Sequence, residues 1–169
     1  MNVKVLHDEQ AIRTSIGELG AAIRRDAGEG EILIIGVLKR TTMFLADLVR
    51  QIPGSVRYEF IDVLTEVSDT ETADALSINF LTHFQIQGQR VYLLKDIVSS
   101  GAIETYLLSQ LRQKEPADLK LVAMLDRPGM RTTPLDVDYA LFSVGEGTYV
   151  GYGLEYENQY GNLPYIGTV

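Results

Sequence analysis

The stretch "VYLLKDIVSSGA", Val91 to Ala102, joins an apolar run to a lysine, an aspartate, two serines and a glycine. Phosphate binding needs backbone N–H groups, hydroxyls and a helix N-terminus, with glycine where the backbone must come close. Ser99, Ser100, Gly101 and Ala102 supply that set. Taken alone, "SSG" before a helix is more often an ordinary cap than a ligand loop. Two further stretches follow apolar runs in the same way. "LKRTT" brings Lys39 and Arg40, and "LDRPGMR" brings Arg127. Cations beside a phosphate loop suit an anionic ligand.

These residues need elements to hold them. "VKVL" reads as a short strand, and Asp8 as the N-cap of the helix after it. In that helix Ile12, Ile16, Leu19 and Ile23 recur on one face, and Gly28 and Gly30 end it. "EILIIGVL", Glu31 to Leu38, is a continuous apolar run that suits a strand buried on both faces of a parallel sheet. Thr41 to Ile52 reads as a helix with Phe44, Leu45 and Leu48 inward, broken by Pro53 and Gly54. "VRYEFIDV" is a strand. The residues after it, 63–76, are acidic and without period, and read as a surface loop. "SINF" is a short strand, "GQRVYLLKDIV" a buried strand and "AIETYLLSQLRQ" a helix. "DLKLVAMLD" and "VDYALFSV" are strands, and a Gly/Tyr-rich end closes the chain with a last short one. Strands alternating with helices predict an α/β fold with a mostly parallel sheet. Ligands in such sheets sit at the carboxyl ends of the strands. The three loops therefore gather at one edge.

Composition narrows the chemistry. At 169 residues and 46% hydrophobic, residues 1–169 suit one domain with its own core. The chain has no cysteine, which excludes disulfides, thiolate metal sites and a cysteine nucleophile. Its only histidines, His7 and His83, are distant in sequence and argue against a histidine-rich metal site or a Ser-His-Asp triad. A net charge of −8 with no basic tract argues against nucleic acid as partner. No run approaches the roughly 18 apolar residues of a membrane span. The first residues carry no export pattern, which points to a cytoplasmic protein.

Taken together the motifs resemble those of bacterial hypoxanthine-guanine phosphoribosyltransferases, of the type I phosphoribosyltransferase fold. The resemblance runs nearly end to end. It rests on "IGVLK…MFLADLVRQI", on "LLKDIVSSG", on "LVAMLDRP" and, most specifically, on "VGYGLEY…YGNLPYIG". It implies a mostly parallel central sheet flanked by helices, with a small hood from the N- and C-terminal segments. It also implies transfer of a phosphoribosyl group from its pyrophosphate to a purine, with Mg2+, in a homodimer or homotetramer. The helix at Thr41 to Ile52 is a candidate interface element. The match favours the ligand reading of "SSGA".

Residue by residue, the resemblance implies a task for each loop. Ser99, Ser100, Gly101 and Ala102 take the 5′-phosphate. Lys95 and Asp96 stand at the acidic pair that holds the ribose hydroxyls. Lysine cannot accept a hydrogen bond or bind a cation, so its charge is inverted for the task. Two other roles are open to it: its ammonium reaches solvent, or pairs with Asp96 or Glu155. Glu155 and Asp96 are the candidate metal ligands. Lys39 and Arg40 form the pyrophosphate turn, which in the family holds a non-proline cis peptide beside a glycine. Arg127 stands at the lysine that donates to the purine 6-oxo group. The stacking aromatic falls at Thr148, with Tyr149 next to it; Tyr152 and Tyr156 read as packing. Ser99 replaces the aspartate proposed as general base, leaving Ser99, Asp96 and Lys39 as the candidate catalytic set. Ile103 replaces a threonine and Gly161 an arginine. The region aligned with the family's lid has no tyrosine and carries Glu66, Asp69, Glu71 and Asp74, which would repel pyrophosphate.

Two readings follow. One is a divergent purine phosphoribosyltransferase that binds a phosphoribosyl or purine nucleotide ligand, with transfer weak or altered. The other is an inactive relative that serves as a nucleotide or anion sensor or as an oligomeric structural subunit.

Overall fold

The computed structural model describes residues 2–66, 75–80 and 83–169. A six-stranded sheet runs in the order β4-β3-β2-β5-β6-β7. Its strands are β2 (Ile32–Val37), β3 (Val56–Glu66), β4 (Ala75–Phe80), β5 (Arg90–Val98), β6 (Asp118–Asp126) and β7 (Tyr139–Ser143). All neighbours are parallel except β3 and β4. β2 is buried along its whole length, as its unbroken apolar run requires.

Helices cover both faces. α1 (Glu9–Ala27) starts at Asp8, whose carboxylate accepts the Ala11 N–H at 2.8 Å. Its Ile12, Ile16, Leu19 and Ile23 are buried with Phe44, Leu45 and Leu48 of α2 (Thr42–Gln51), against Ile32, Ile34 and Leu94 of the sheet. Burying each such side chain contributes about 1.5–3 kcal/mol, far more than helix propensity does. α3 (Ala102–Arg112) lies on the opposite face, its Leu107, Leu108 and Leu111 against Leu33, Ile35 and Leu93.

A second sheet of three antiparallel strands has the order β1-β9-β8. It joins β1 (Lys4–His7) to β8 (Tyr149–Val150) and β9 (Ile166–Thr168). The N- and C-terminal segments therefore form a small hood, as expected. The ring of His7 stacks on Phe142 of β7 with centroids 3.7 Å apart, which ties the hood to the main sheet.

One expectation is corrected. Residues 63–76 do not form a loop throughout. β3 continues to Glu66 and β4 starts at Ala75, with Glu66 opposite Ala75 in an antiparallel pair. The pairing extends past the core at the sheet edge, where no apolar alternation is required of it. Residues 67–74, with Asp69, Glu71 and Asp74, lie outside the described residues.

The strand order reverses between β2 and β5. From β2 the chain passes through α2 to β3 on one side; from β5 it passes through α3 to β6 on the other. That reversal opens a crevice at the carboxyl ends of β2 and β5. Lys39 and Arg40 follow β2 and Ser99 to Ala102 follow β5, so both border it.

Candidate functional site

The turn after β5 is built to keep one shape. Gly101 has φ 85°, a conformation that favours glycine. A Cβ there would lie 3.1 Å from Leu135 Cδ2 and 3.3 Å from the Thr133 carbonyl. The Ser100 hydroxyl accepts the Ala102 N–H at 3.3 Å, and the Ser100 carbonyl accepts the N–H groups of Thr132 and Thr133 at 3.1 Å. Arg131 braces this turn from the turn after β6. Its guanidinium donates to the carbonyls of Ser99 at 2.8 Å and Val98 at 3.2 Å, and pairs with the carboxylate of Asp126. The first N–H groups of α3 have no partner within the helix, so a braced turn leads into a helix N-terminus with its partial positive charge. This arrangement can hold a phosphate.

Next to the turn, charges alternate. Lys95 Nζ lies 2.6 Å from Asp96 Oδ1 and 3.8 Å from Glu104 Oε1. Arg40 Nη1 lies 3.7 Å from Asp96 Oδ2. Lys39 Nζ lies 3.0 Å from Glu155 Oε2 and joins the β2 turn to the hood. Of the roles open to Lys95, the structure selects pairing with Asp96. The Lys95 side chain is only 13% exposed, so it does not reach out to solvent. Glu104, in the first turn of α3, was not singled out from the sequence. An acid there reads as an ordinary complement to the helix dipole, and only its burial reveals the contact with Lys95. Burial alone would raise the Asp96 carboxyl. The charge and hydrogen bond of Lys95, the Ile97 N–H and Arg40 outweigh it and hold Asp96 below the ordinary carboxylate range.

The peptide between Leu38 and Lys39 is cis. Gly161 packs on Glu155: a Cβ there would lie 2.8 Å from Glu155 Cγ. The absence of a side chain at 161 thus leaves room for the glutamate that Lys39 pairs with.

On the β6 side, Arg127 Nε donates to the Gly145 carbonyl at 3.0 Å, and the Tyr149 hydroxyl donates to the same carbonyl at 2.9 Å. The guanidinium carbon lies 5.9 Å from the centre of the Tyr149 ring. Tyr149 is buried in the core and carries Arg127 on its ring. Tyr152 packs as expected. It is buried and its hydroxyl donates to Asp47 Oδ2 at 2.5 Å.

The donor set does not suit magnesium. Asp96 meets a cation at each of its oxygens, and Glu155 meets one at Oε2. An ion bound to Asp96 Oδ1 at about 2.1 Å would lie within about 5 Å of the Lys95 ammonium, given the 2.6 Å pair. Unit charges about 4 Å apart interact by about 4 kcal/mol even at an effective dielectric of 20, and a divalent ion doubles that repulsion. Among the described residues, no three acidic or histidine side chains come together as a metal site.

A cavity of about 820 Å3 lies elsewhere, between α1, α2 and residues 161–164. Ile12, Met43, Tyr152 and Pro164 are among its lining residues. It is a seam between helices and the C-terminal segment, without the braced N–H groups of the 99–102 turn.

The family model described as "Phosphoribosyl transferase domain" matches residues 2–157. The hypoxanthine-guanine phosphoribosyltransferase of Bacillus subtilis (strain 168) is 33% identical over 166 residues, covering 98% of this chain and 92% of that protein. The enzyme of the same name from Streptococcus pneumoniae (strain ATCC BAA-255 / R6) is 31% identical over 167 residues, covering 99% and 92%. Among solved structures, a hypoxanthine-guanine phosphoribosyltransferase from Bacillus anthracis superposes with a TM-score of 0.89 at 32% identity, covering 99% of both chains. A hypoxanthine phosphoribosyltransferase from Staphylococcus aureus gives 0.90 at 30% identity, covering 98% of this chain and 90% of that one.

Proposed function

The chain belongs to the bacterial hypoxanthine-guanine phosphoribosyltransferase family, with its type I fold, and from that premise we propose a purine phosphoribosyltransferase with an altered transfer step. The observation that carries the proposal is the braced turn at Ser99 to Ala102, set at the strand-order reversal. It takes the 5′-phosphate of a phosphoribosyl or purine nucleotide ligand. Lys39 and Arg40, more exposed than Lys95, face the pyrophosphate. Asp96 and Lys95 meet the ribose. Arg127, fixed by Gly145 and Tyr149, donates to the purine. Residues 1–169 act as one domain, in the cytoplasm, as a homodimer or homotetramer in which exposed Met43 of α2 meets the partner. No described helix is long and apolar enough to cross a membrane.

In the reaction a purine nitrogen forms a bond to the anomeric carbon. The bond from that carbon to pyrophosphate breaks, and pyrophosphate leaves with the electron pair. The nitrogen's proton must go to a base or to water. Ser99 offers a hydroxyl, which takes no proton at neutral pH without a partner. Loss of general-base assistance costs on the order of 10²-fold or more, and this is the altered step. Magnesium, implied by the resemblance, has no suitable donor set here, so no step is assigned to it.

The test is nucleotide formation from labelled hypoxanthine or guanine and phosphoribosyl pyrophosphate at high enzyme concentration. The expected result is slow release of nucleotide and pyrophosphate in equal amounts. No nucleotide after long incubation would favour a binding protein without transfer.

A further inference from the structure

We infer that Lys95 supplies, from within the chain, the positive charge at the ribose end of the site, so that a phosphoribosyl pyrophosphate binds without a divalent cation. The inference rests on the phosphoribosyltransferase reading. Lys95 Nζ sits between Asp96 Oδ1 at 2.6 Å and Glu104 Oε1 at 3.8 Å, and all three side chains are at most 13% exposed. Arg40 closes the other side of Asp96 at 3.7 Å.

Two cations face two carboxylates, so the cluster is balanced as it stands. A divalent ion at Asp96 Oδ1 would lie within about 5 Å of the buried Lys95 ammonium, which repels it. An ammonium has three donors. Two face these carboxylates, and the third is available to a hydroxyl or phosphate oxygen. Lys95 follows β5 residues that are fully buried and precedes the 99–102 turn by one short step of strand. Its charge is therefore fixed in place before any ligand arrives. Lys39 and Arg40 are 68% and 48% exposed, and so can turn from their carboxylates to an incoming pyrophosphate.

The experiment is calorimetric titration of the wild-type chain with phosphoribosyl pyrophosphate, in EDTA and in excess magnesium, with GMP in EDTA as a parallel arm. The expected result is a Kd for phosphoribosyl pyrophosphate that changes by less than about threefold between the two conditions. A Lys95→Glu variant, checked for a native melt, should then bind at least tenfold more weakly in EDTA and recover with magnesium. Tenfold or greater dependence of the wild-type chain on magnesium would overturn the inference, whether or not the variant folds. If GMP binds in that case, the phosphoribosyltransferase reading stands. If neither ligand binds under any condition, that reading falls and the inference with it.

Discussion

Lys39 Nζ lies 3.0 Å from Glu155 Oε2, so the turn after β2 and the hood meet across the candidate site. Gly161 makes this contact possible, because a Cβ at that position would lie 2.8 Å from Glu155 Cγ. The lysine is 68% exposed, so the pair itself adds little stability. Its role is placement.

Gly161→Ala should therefore push Glu155 off Lys39 and overpack the hood. Overpacking costs about 1–3 kcal/mol. Urea unfolding should show the lower midpoint with an unchanged slope. A variant as stable as the wild type would mean that Glu155 moves freely.

Gly101→Ala should destabilise by about 1–3 kcal/mol, from overpacking against Leu135 and a left-handed backbone, and should weaken purine nucleotide binding. The φ of 85° and the 3.1 Å approach to Leu135 both oppose a side chain. Thermal melts with and without GMP would separate the effects. Unaltered nucleotide stabilisation would show that the turn does not hold the phosphate.

Much of this framework was legible in the sequence. Apolar runs gave β2, β5 and β6, and four residues at helical spacing gave the buried face of α1. The hairpin of β3 and β4 was not legible past Val63, since its pairing rests on backbone hydrogen bonds at a sheet edge. Among the site residues, Ser99 to Ala102 were visible because strand, hydroxyls and glycine occur together. Glu104 and Arg131 were not visible as parts of the site. Each looks ordinary on its own element, and only the packing of α3 and the turn after β6 against the β5 loop gives it a role.

Arg131→Met should loosen the 99–102 turn. It removes the hydrogen bonds to the Val98 and Ser99 carbonyls and leaves Asp126, 15% exposed, without its cation. Breaking such a largely buried pair costs about 3–5 kcal/mol, and denaturant midpoints should show it. Hydrogen exchange at residues 99–105 should rise as well. Faster exchange confined to other segments would contradict the bracing role.

Acid should destabilise the fold through two carboxylates. Asp26 is held below the ordinary value by hydrogen bonds from Lys120 and from the Tyr92 hydroxyl, at 2.5 and 2.6 Å. Asp96 is held low by Lys95 and Arg40. Their folded values lie below the unfolded ones, so the unfolded chain takes up protons first as pH falls. Stability should be complete above about pH 4 and decline as pH falls below it. Asp26→Asn should flatten that decline in pH-dependent melts; an identical slope would remove Asp26 from the account.

The central claim, that residues 99–102 hold a nucleotide phosphate, is tested most directly by comparing GMP with guanosine in calorimetric titration of the wild-type chain. The two ligands differ only in the 5′-phosphate. The account predicts that GMP binds at a single site, at least tenfold more tightly than guanosine. Equal affinities, or no binding of GMP, would contradict it.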